Sequence, residues 1–308
     1  MDKPLTTREV PPEFLKSAML VGHIPHRVLA SDPRVSYALY VPPQYYDSHD
    51  GRIDSARAKL PLLVSVHGTR RYLYDIEDLA PFAEATPCAI LTPLFPTGLD
   101  GPDDVDSYKQ IRTKTLRSDL ALLSMLDEVV VRWPEVDTEK IFLMGFSGGG
   151  QFAHRFLYLY PERLAAVSVG APGRTTVLDD QRNWPAGTKD AGSLFGKPIN
   201  RDVIKGVPIQ LVVGDQDVKV HGGEEFWTWM RRLKAQRGAG SGAAENAEKY
   251  MFMDRGRLET IRDLRDSWKH DGIEARLDVV EGVAHDARGV RNSVLAFLEP
   301  RIKGHSNN

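Results

Sequence analysis

Residues Gly145-Phe146-Ser147-Gly148-Gly149 constrain this chain more than any other stretch, because of what lies on either side of them. Before them, Ile141-Phe142-Leu143-Met144 is short and apolar and follows the polar pair Glu139-Lys140, the pattern of a buried strand. After them, residues 151–160 carry Phe152, Phe156, Leu157 and Tyr160 at helical spacing, and Pro161 stops the run. The G-x-S-x-G therefore sits on a strand–turn–helix junction. Such a turn strains the serine backbone, and only small neighbours let strand and helix approach so closely. The hydroxyl is pushed out above the sheet beside the N–H groups of a helix N-terminus, where a nucleophile belongs. Taken alone, five residues with two of them free also describe a plain glycine turn. The spacing is neither G-x-G-x-x-G nor a phosphate-binding loop with its lysine.

The flanking pattern extends along the chain. Strands are expected at Tyr37–Val41, Leu60–Val66, Ala89–Pro93, Leu164–Val169, Ile209–Val213 and Leu277–Val280. Helices are expected around Leu116, Leu120, Leu123, Leu126 and Val130, around Phe226, Met230 and Leu233, around Leu258, Ile261, Leu264 and Trp268 before Gly272, and over Val290–Leu298. This alternation predicts an α/β protein, a mostly parallel sheet with helices on both faces. Ligands of such sheets bind at the carboxyl ends of the strands. Two stretches exceed ordinary loops, 171–205 with Trp184, Phe195 and Pro198, and 235–255 with Met251, Phe252 and Met253. Both are expected as cap insertions over the site, or else as surface excursions, on one domain spanning 1–308.

A serine hydroxyl needs a base, and the base needs an orienting carboxylate. Gly214-Asp215-Gln216-Asp217 follows one strand and Glu281-Gly282-Val283-Ala284-His285-Asp286 follows another. The order Ser…Asp…His is the one used by serine hydrolases with this kind of turn. His285 is the candidate base, and Asp215 and Asp217 both stand where the acid belongs. Asp179 and Asp180 are more remote choices. His23, His26, His154, His221, His270 and His305 lie elsewhere and show no metal-ligand spacing, so neither a metal nor a cofactor is expected.

Composition bounds the rest. The 308 residues are 42% hydrophobic and 27% charged with a formal net charge of -2, which points away from nucleic acid and acidic membranes. No apolar run is long enough to span a bilayer, and residues 1–5 show no signal-peptide core. The one cysteine, Cys88, lies in an apolar run and precludes an intrachain disulfide. A cytoplasmic protein is expected.

From about Tyr37 to Leu298 the chain resembles the α/β-hydrolase superfamily of serine hydrolases. The resemblance rests on His67-Gly68, Gly145-Phe146-Ser147-Gly148-Gly149, Gly214-Asp215-Gln216-Asp217 and Gly282-Val283-Ala284-His285-Asp286, all in family order. It is most similar to the esterase, polyhydroxyalkanoate-depolymerase-like and dienelactone-hydrolase-like branches. The resemblance implies an eight-stranded-type sheet. Its Gly-x-x-Asp pattern selects Asp217 as the acid, leaving Asp215 as a turn residue. It implies an oxyanion hole from the N–H groups of Gly148 and of Thr69, or of Arg70, since the chain departs here from His-Gly-Gly-Gly. Arg70 and Tyr72 adjoin that loop and offer a place for a carboxylate or aromatic acyl group, or are simply a solvated arginine and a packed tyrosine. Trp184 is a candidate pocket wall for a moderately hydrophobic small-molecule ester or lactone, or part of a small core of its own. The same triad serves acyl transferases, lactonases, carbon–carbon bond hydrolases and prolyl-oligopeptidase-type peptidases, and a hydrolase-fold binder keeps the residues without turnover.

Overall fold

In the computed structural model, which describes residues 4–46, 59–102, 104–219 and 256–305, apolar runs alternate faces along each central strand. On β3 (Leu60–Val66), Leu62, Val64 and Val66 pack into one apolar cluster and Leu63 into another. On β5 (Val136–Phe146), Ile141 and Leu143 face the first cluster, Phe142 and Met144 the second. Period-two side chains buried on both sides require helices on both faces of the sheet.

The described strands form one eight-stranded sheet in the order β1-β2-β4-β3-β5-β6-β7-β8. The remaining members are β1 (Gly22–Val28), β2 (Ser36–Val41), β4 (Ala89–Leu94), β6 (Leu164–Gly170), β7 (Ile209–Gly214) and β8 (Arg276–Val280). β2 runs antiparallel to β1 and β4, and every later pairing is parallel. The carboxyl ends of β3, β5, β6, β7 and β8 therefore share one edge. Helices α2 (Ser118–Arg132), α3 (Gly148–Leu159) and α6 (Arg257–His270) cover one face, and α1 (Asp75–Ala85) and α7 (Ala287–His305) cover the other. Two short helices, α4 (Ala191–Phe195) and α5 (Arg201–Lys205), lie between β6 and β7.

Several elements differ from expectation for physical reasons. β1 escapes pattern reading because only Ile24 is buried and Pro25 and His26 sit at a register shift, the place an edge strand tolerates proline. α1 carries Pro81, which lacks the N–H for a bond to Glu77 and reads as a break, yet Ile76, Leu79, Ala80 and Ala83 still seal it onto the sheet. The buried stripe of α2 is Leu122, Met125, Leu126 and Val129, and Leu120, expected inside, is 44% exposed. β5 starts five residues early at Val136, with an irregularity opposite Pro61/Leu63. α7 continues past Leu298 through Pro300. The helix expected around Phe226, Met230 and Leu233, the insertion 235–255 with Met251, Phe252 and Met253, and His221 lie outside the described residues.

α3 docks by its backbone. A Cβ at Gly149 would sit 2.0 Å from Val66 O, and one at Gly150 2.3 Å from Gly170 O. No rotamer relieves a clash with a carbonyl. Gly149→Ala is therefore expected to destabilise the fold by about 3 kcal/mol, lowering Tm by roughly 6–12 °C in a thermal melt.

Candidate active site

The turn between β5 and α3 holds Ser147 at φ 57°, ψ −111°, a region L-residues rarely adopt. Two tethers hold it there. The Ser147 N–H donates to Gly170 O at the end of β6 (2.8 Å), and the Gln151 N–H donates back to Ser147 O (3.0 Å). Close packing of α3 leaves the chain no other path, so the hydroxyl stands clear of the sheet edge.

β7 and β8 bring the other two groups. Gly214 ends β7 where a Cβ would lie 1.9 Å from Val283 O, so only glycine lets the two loops touch. The Asp215 N–H donates to Val280 O (3.0 Å) and the Gln216 N–H to Val283 O (2.9 Å), locking one loop to the other. Asp217 is 2% exposed, and its Oδ2 accepts from His285 Nδ1 at 2.6 Å. The ring's far nitrogen, Nε2, lies 3.0 Å from Ser147 Oγ. A carboxylate can only accept, so Nδ1 carries the proton and Nε2 accepts from the serine hydroxyl. The Phe146 ring flanks the imidazole, with centroids 4.9 Å apart. Asp217's second oxygen faces Arg257 Nη1 at 3.5 Å.

The loop after β3 lies against the helix N-terminus. A Cβ at Gly148 would be 2.9 Å from the Thr69 nitrogen and 2.4 Å from the Tyr108 hydroxyl, so the Gly148 and Thr69 backbones are neighbours. Neither N–H has a partner among the described residues: Thr69 lies outside any helix or strand, and Gly148 opens α3. Both are placed beside Ser147.

Residues that spacing did not single out shape this loop. His67 is 4% exposed, and its Nε2 accepts from the Phe95 N–H (3.0 Å). That forces the proton onto Nδ1, which donates to Gly68 O (2.9 Å). Burial pushes the His67 imidazole down to about 4, so it stays neutral. Tyr108 Oη donates to His67 O (2.8 Å). Arg71 donates to the carbonyls of Phe95 (2.9 Å), Thr69 (2.5 Å) and Val105 (3.1 Å) and lies over the Tyr108 ring. Tyr108, in the turn 107–110, gives no sequence signal at all. The His-Gly pair points to the loop, while the histidine's role as a spacer emerges only from its partners.

The remaining candidates separate. Arg70 is exposed and donates to Tyr72 Oη (3.1 Å), and Tyr72, 51% exposed, stacks on Tyr74. Trp184 is half-buried, edge-on to the buried Phe195 (4.8 Å), and its Nε1 donates to Gln110 O (2.8 Å). His154 is fully buried on α3, accepting from the Thr176 N–H (3.0 Å) and donating to Gly150 O (2.9 Å), so burial holds it neutral far below its ordinary range. Asp286 caps the last helix, its Oδ1 accepting from the Arg288 N–H (3.0 Å). Asp180 pairs with Arg201 (3.0 Å) and Asp179 with Arg182 (3.1 Å). Cys88 is buried, and burial pushes its thiol up to about 12. No cluster of metal-ligating side chains occurs among the described residues. No described helix is long and apolar enough to cross a membrane.

No protein-family model and no curated protein sequence matches the chain. Solved structures do. Poly(aspartic acid) hydrolase-1 from Sphingomonas sp. KT-1 superimposes with a TM-score of 0.59 at 19% identity, over 85% of this chain and 92% of that one. The poly(3-hydroxybutyrate) depolymerase LpqC from Bordetella parapertussis gives 0.59 at 21%, over 86% and 83%. S-formylglutathione hydrolase from Staphylococcus aureus gives 0.54 at 12%, over 90% and 97%. The shared architecture is the α/β-hydrolase fold.

Stability should follow the buried histidines. Native His67 takes a proton only near pH 4, whereas the unfolded chain takes it near 6.5. The unfolded state thus binds more protons in between, so stability is full above pH 6.5 and falls toward pH 4. Denaturant midpoints across that window should show a loss on the order of 3 kcal/mol from His67, and His67→Asn should flatten the slope.

Proposed function

We propose that the protein is a serine hydrolase of carboxylic esters or lactones. One observation carries this reading: the unbroken chain from buried Asp217 through His285 to the hydroxyl of a strained Ser147, with spans of 2.6 and 3.0 Å. A serine in that position has its base in hydrogen-bond contact and its base already in the correct tautomer.

In the proposed reaction Ser147 Oγ attacks the ester carbonyl as His285 Nε2 takes its proton. Asp217 stabilises the imidazolium by holding the Nδ1 proton. The tetrahedral oxyanion takes hydrogen bonds from the N–H groups of Gly148 and Thr69, which no acceptor among the described residues occupies. His285 then protonates the leaving alkoxide, and the acyl group remains on Ser147. Water, deprotonated by the same nitrogen, attacks the acyl-enzyme and releases the acid. No metal or redox cofactor takes part in these steps.

Residues 171–205 are assigned the role of a cap wall. They leave β6 just past Gly170, which accepts from the Ser147 N–H, and α3 holds them through His154, Arg155 and Tyr158. Trp184 and Phe195 give this wall an apolar interior, in keeping with a small to medium, moderately hydrophobic substrate. The names of the structural neighbours, a poly(3-hydroxybutyrate) depolymerase, an S-formylglutathione hydrolase and a poly(aspartic acid) hydrolase, are all those of hydrolases.

The test is hydrolysis of p-nitrophenyl esters from acetate to decanoate. Saturable turnover is expected, falling about a millionfold in Ser147→Ala and in His285→Ala, and about 10⁴-fold in Asp217→Asn. Turnover undiminished in Ser147→Ala overturns the reading. Gly148→Ala, whose methyl meets the Thr69 nitrogen and Tyr108 hydroxyl, should lower kcat by about 10²–10³-fold by spoiling the oxyanion site.

A further inference from the structure

Asp217 is placed between two groups that carry or can carry positive charge. Its side chain is 1% exposed, with Oδ2 on the His285 Nδ1–H and Oδ1 3.5 Å from Arg257 Nη1. Arg257 opens α6, and its side chain is only 10% exposed. The same Nη1 donates to Lys219 O (3.1 Å), and the Leu258 N–H donates to Asp217 O (3.1 Å). The first turn of α6 therefore clasps the acid loop at two points besides the ion pair. Burial pulls the Arg257 guanidinium below its ordinary range, and the Asp217 charge pulls it back up. A carboxylate this deeply buried is costly unless a charge or hydrogen bonds answer it.

Among the described residues, the other charged groups in the two loops are Asp215, whose Oδ1 is buried with no hydrogen-bond partner there, exposed Glu281 and Lys219, and Asp286 and Arg288. Asp286 caps α7, and Arg288 pairs with Asp78 (2.8 Å). Ser147 and Phe146, which face the ring from α3 and β5, are neutral.

We propose that Arg257 is a positioning residue for the Asp217–His285 pair, fixing the carboxylate and moderating its hold on the imidazolium. The proposal rests on the serine-hydrolase reading and adds a group that the triad order does not name. A carboxylate that already answers one cation attracts a second less strongly. The residue touches neither substrate nor reacting atoms.

The experiment compares wild type, Arg257→Gln and Arg257→Lys, reading the pH dependence of kcat/KM for an ester that wild type hydrolyses, with Ser147→Ala as the blank. Gln keeps a donor for Lys219 O and loses the charge, while Lys keeps the charge. The acid-side midpoint should move up by about one pH unit in Arg257→Gln and stay within about 0.3 unit of wild type in Arg257→Lys. An unmoved midpoint in Gln, or an equal upward move in Lys, overturns the proposal. If Arg257→Gln does not fold, Arg257→Met, a neutral chain of similar length, takes its place with the same two outcomes. The low-field Nδ1–H resonance of His285, titrated in the Ser147→Ala background with and without the Arg257 changes, reads the same midpoint without turnover. Absence of Ser147-dependent hydrolysis in wild type thus sinks the enzymatic reading, while the titration still judges Arg257.

Discussion

Contact between the backbone of α3 and the carbonyl ends of β3 and β6 is the constraint on which the site depends. With Gly149 against Val66 O and Gly150 against Gly170 O, the helix begins nearer to the sheet than a Cβ allows. That proximity has three consequences at once. It forces Ser147 to positive φ, it places Gly148 beside Thr69, and it leaves both N–H groups without a partner among the described residues. The strain at Ser147 is offset by its bonds to Gly170 and Gln151 and by burial of Phe152, Phe156 and Leu157, each contributing about 2 kcal/mol.

Two neutral histidines do matching work on either side of that contact. His67 spans from the loop after β3 to Phe95, and His154 spans from α3 to Thr176. Each uses one nitrogen as donor and the other as acceptor, bridging two main-chain segments. Such a bridge works only while the ring is uncharged, because protonation turns its acceptor into a second donor facing an N–H. His285 differs in having solvent access and a carboxylate partner.

Much of this was legible in the sequence, and for a clear reason. Strands buried on both faces, such as Leu60–Val66 and Ile209–Val213, are nearly uniform apolar runs, and the turn between β5 and α3 needs its glycines for contact rather than flexibility. The structure brings Ser147, Asp217 and His285 together and sets Thr69 beside Gly148; positions after strands suggested Ser147 and His285, while Asp217 over Asp215 and Thr69 over Arg70 came from the family resemblance. Elements at the periphery were less readable. β1 buries one side chain, α1 hides behind Pro81, and α2 presents two apolar stripes of which Leu122-Met125-Leu126-Val129 is the one the sheet accepts. The groups that support the site, Arg71, Tyr108 and Arg257, were unreadable because their partners are backbone carbonyls or distant residues. A carbonyl acceptor carries no residue identity, so no spacing rule can find it.

The sheet order also distributes the site unevenly. Ser147 and Thr69 hang from β5 and β3 in the middle, flanked by paired strands on both sides. His285 hangs from β8, one of the two edge strands among the described residues, with one hydrogen-bonded neighbour there and no buried residue. Local opening begins where a strand has the fewest partners. Fraying of β8 from β7 detaches the imidazole while leaving the serine and its turn intact. The Ser147–His285 contact is thus a readout of an edge strand of the sheet, and it reports loosening of this edge before the core has begun to unfold.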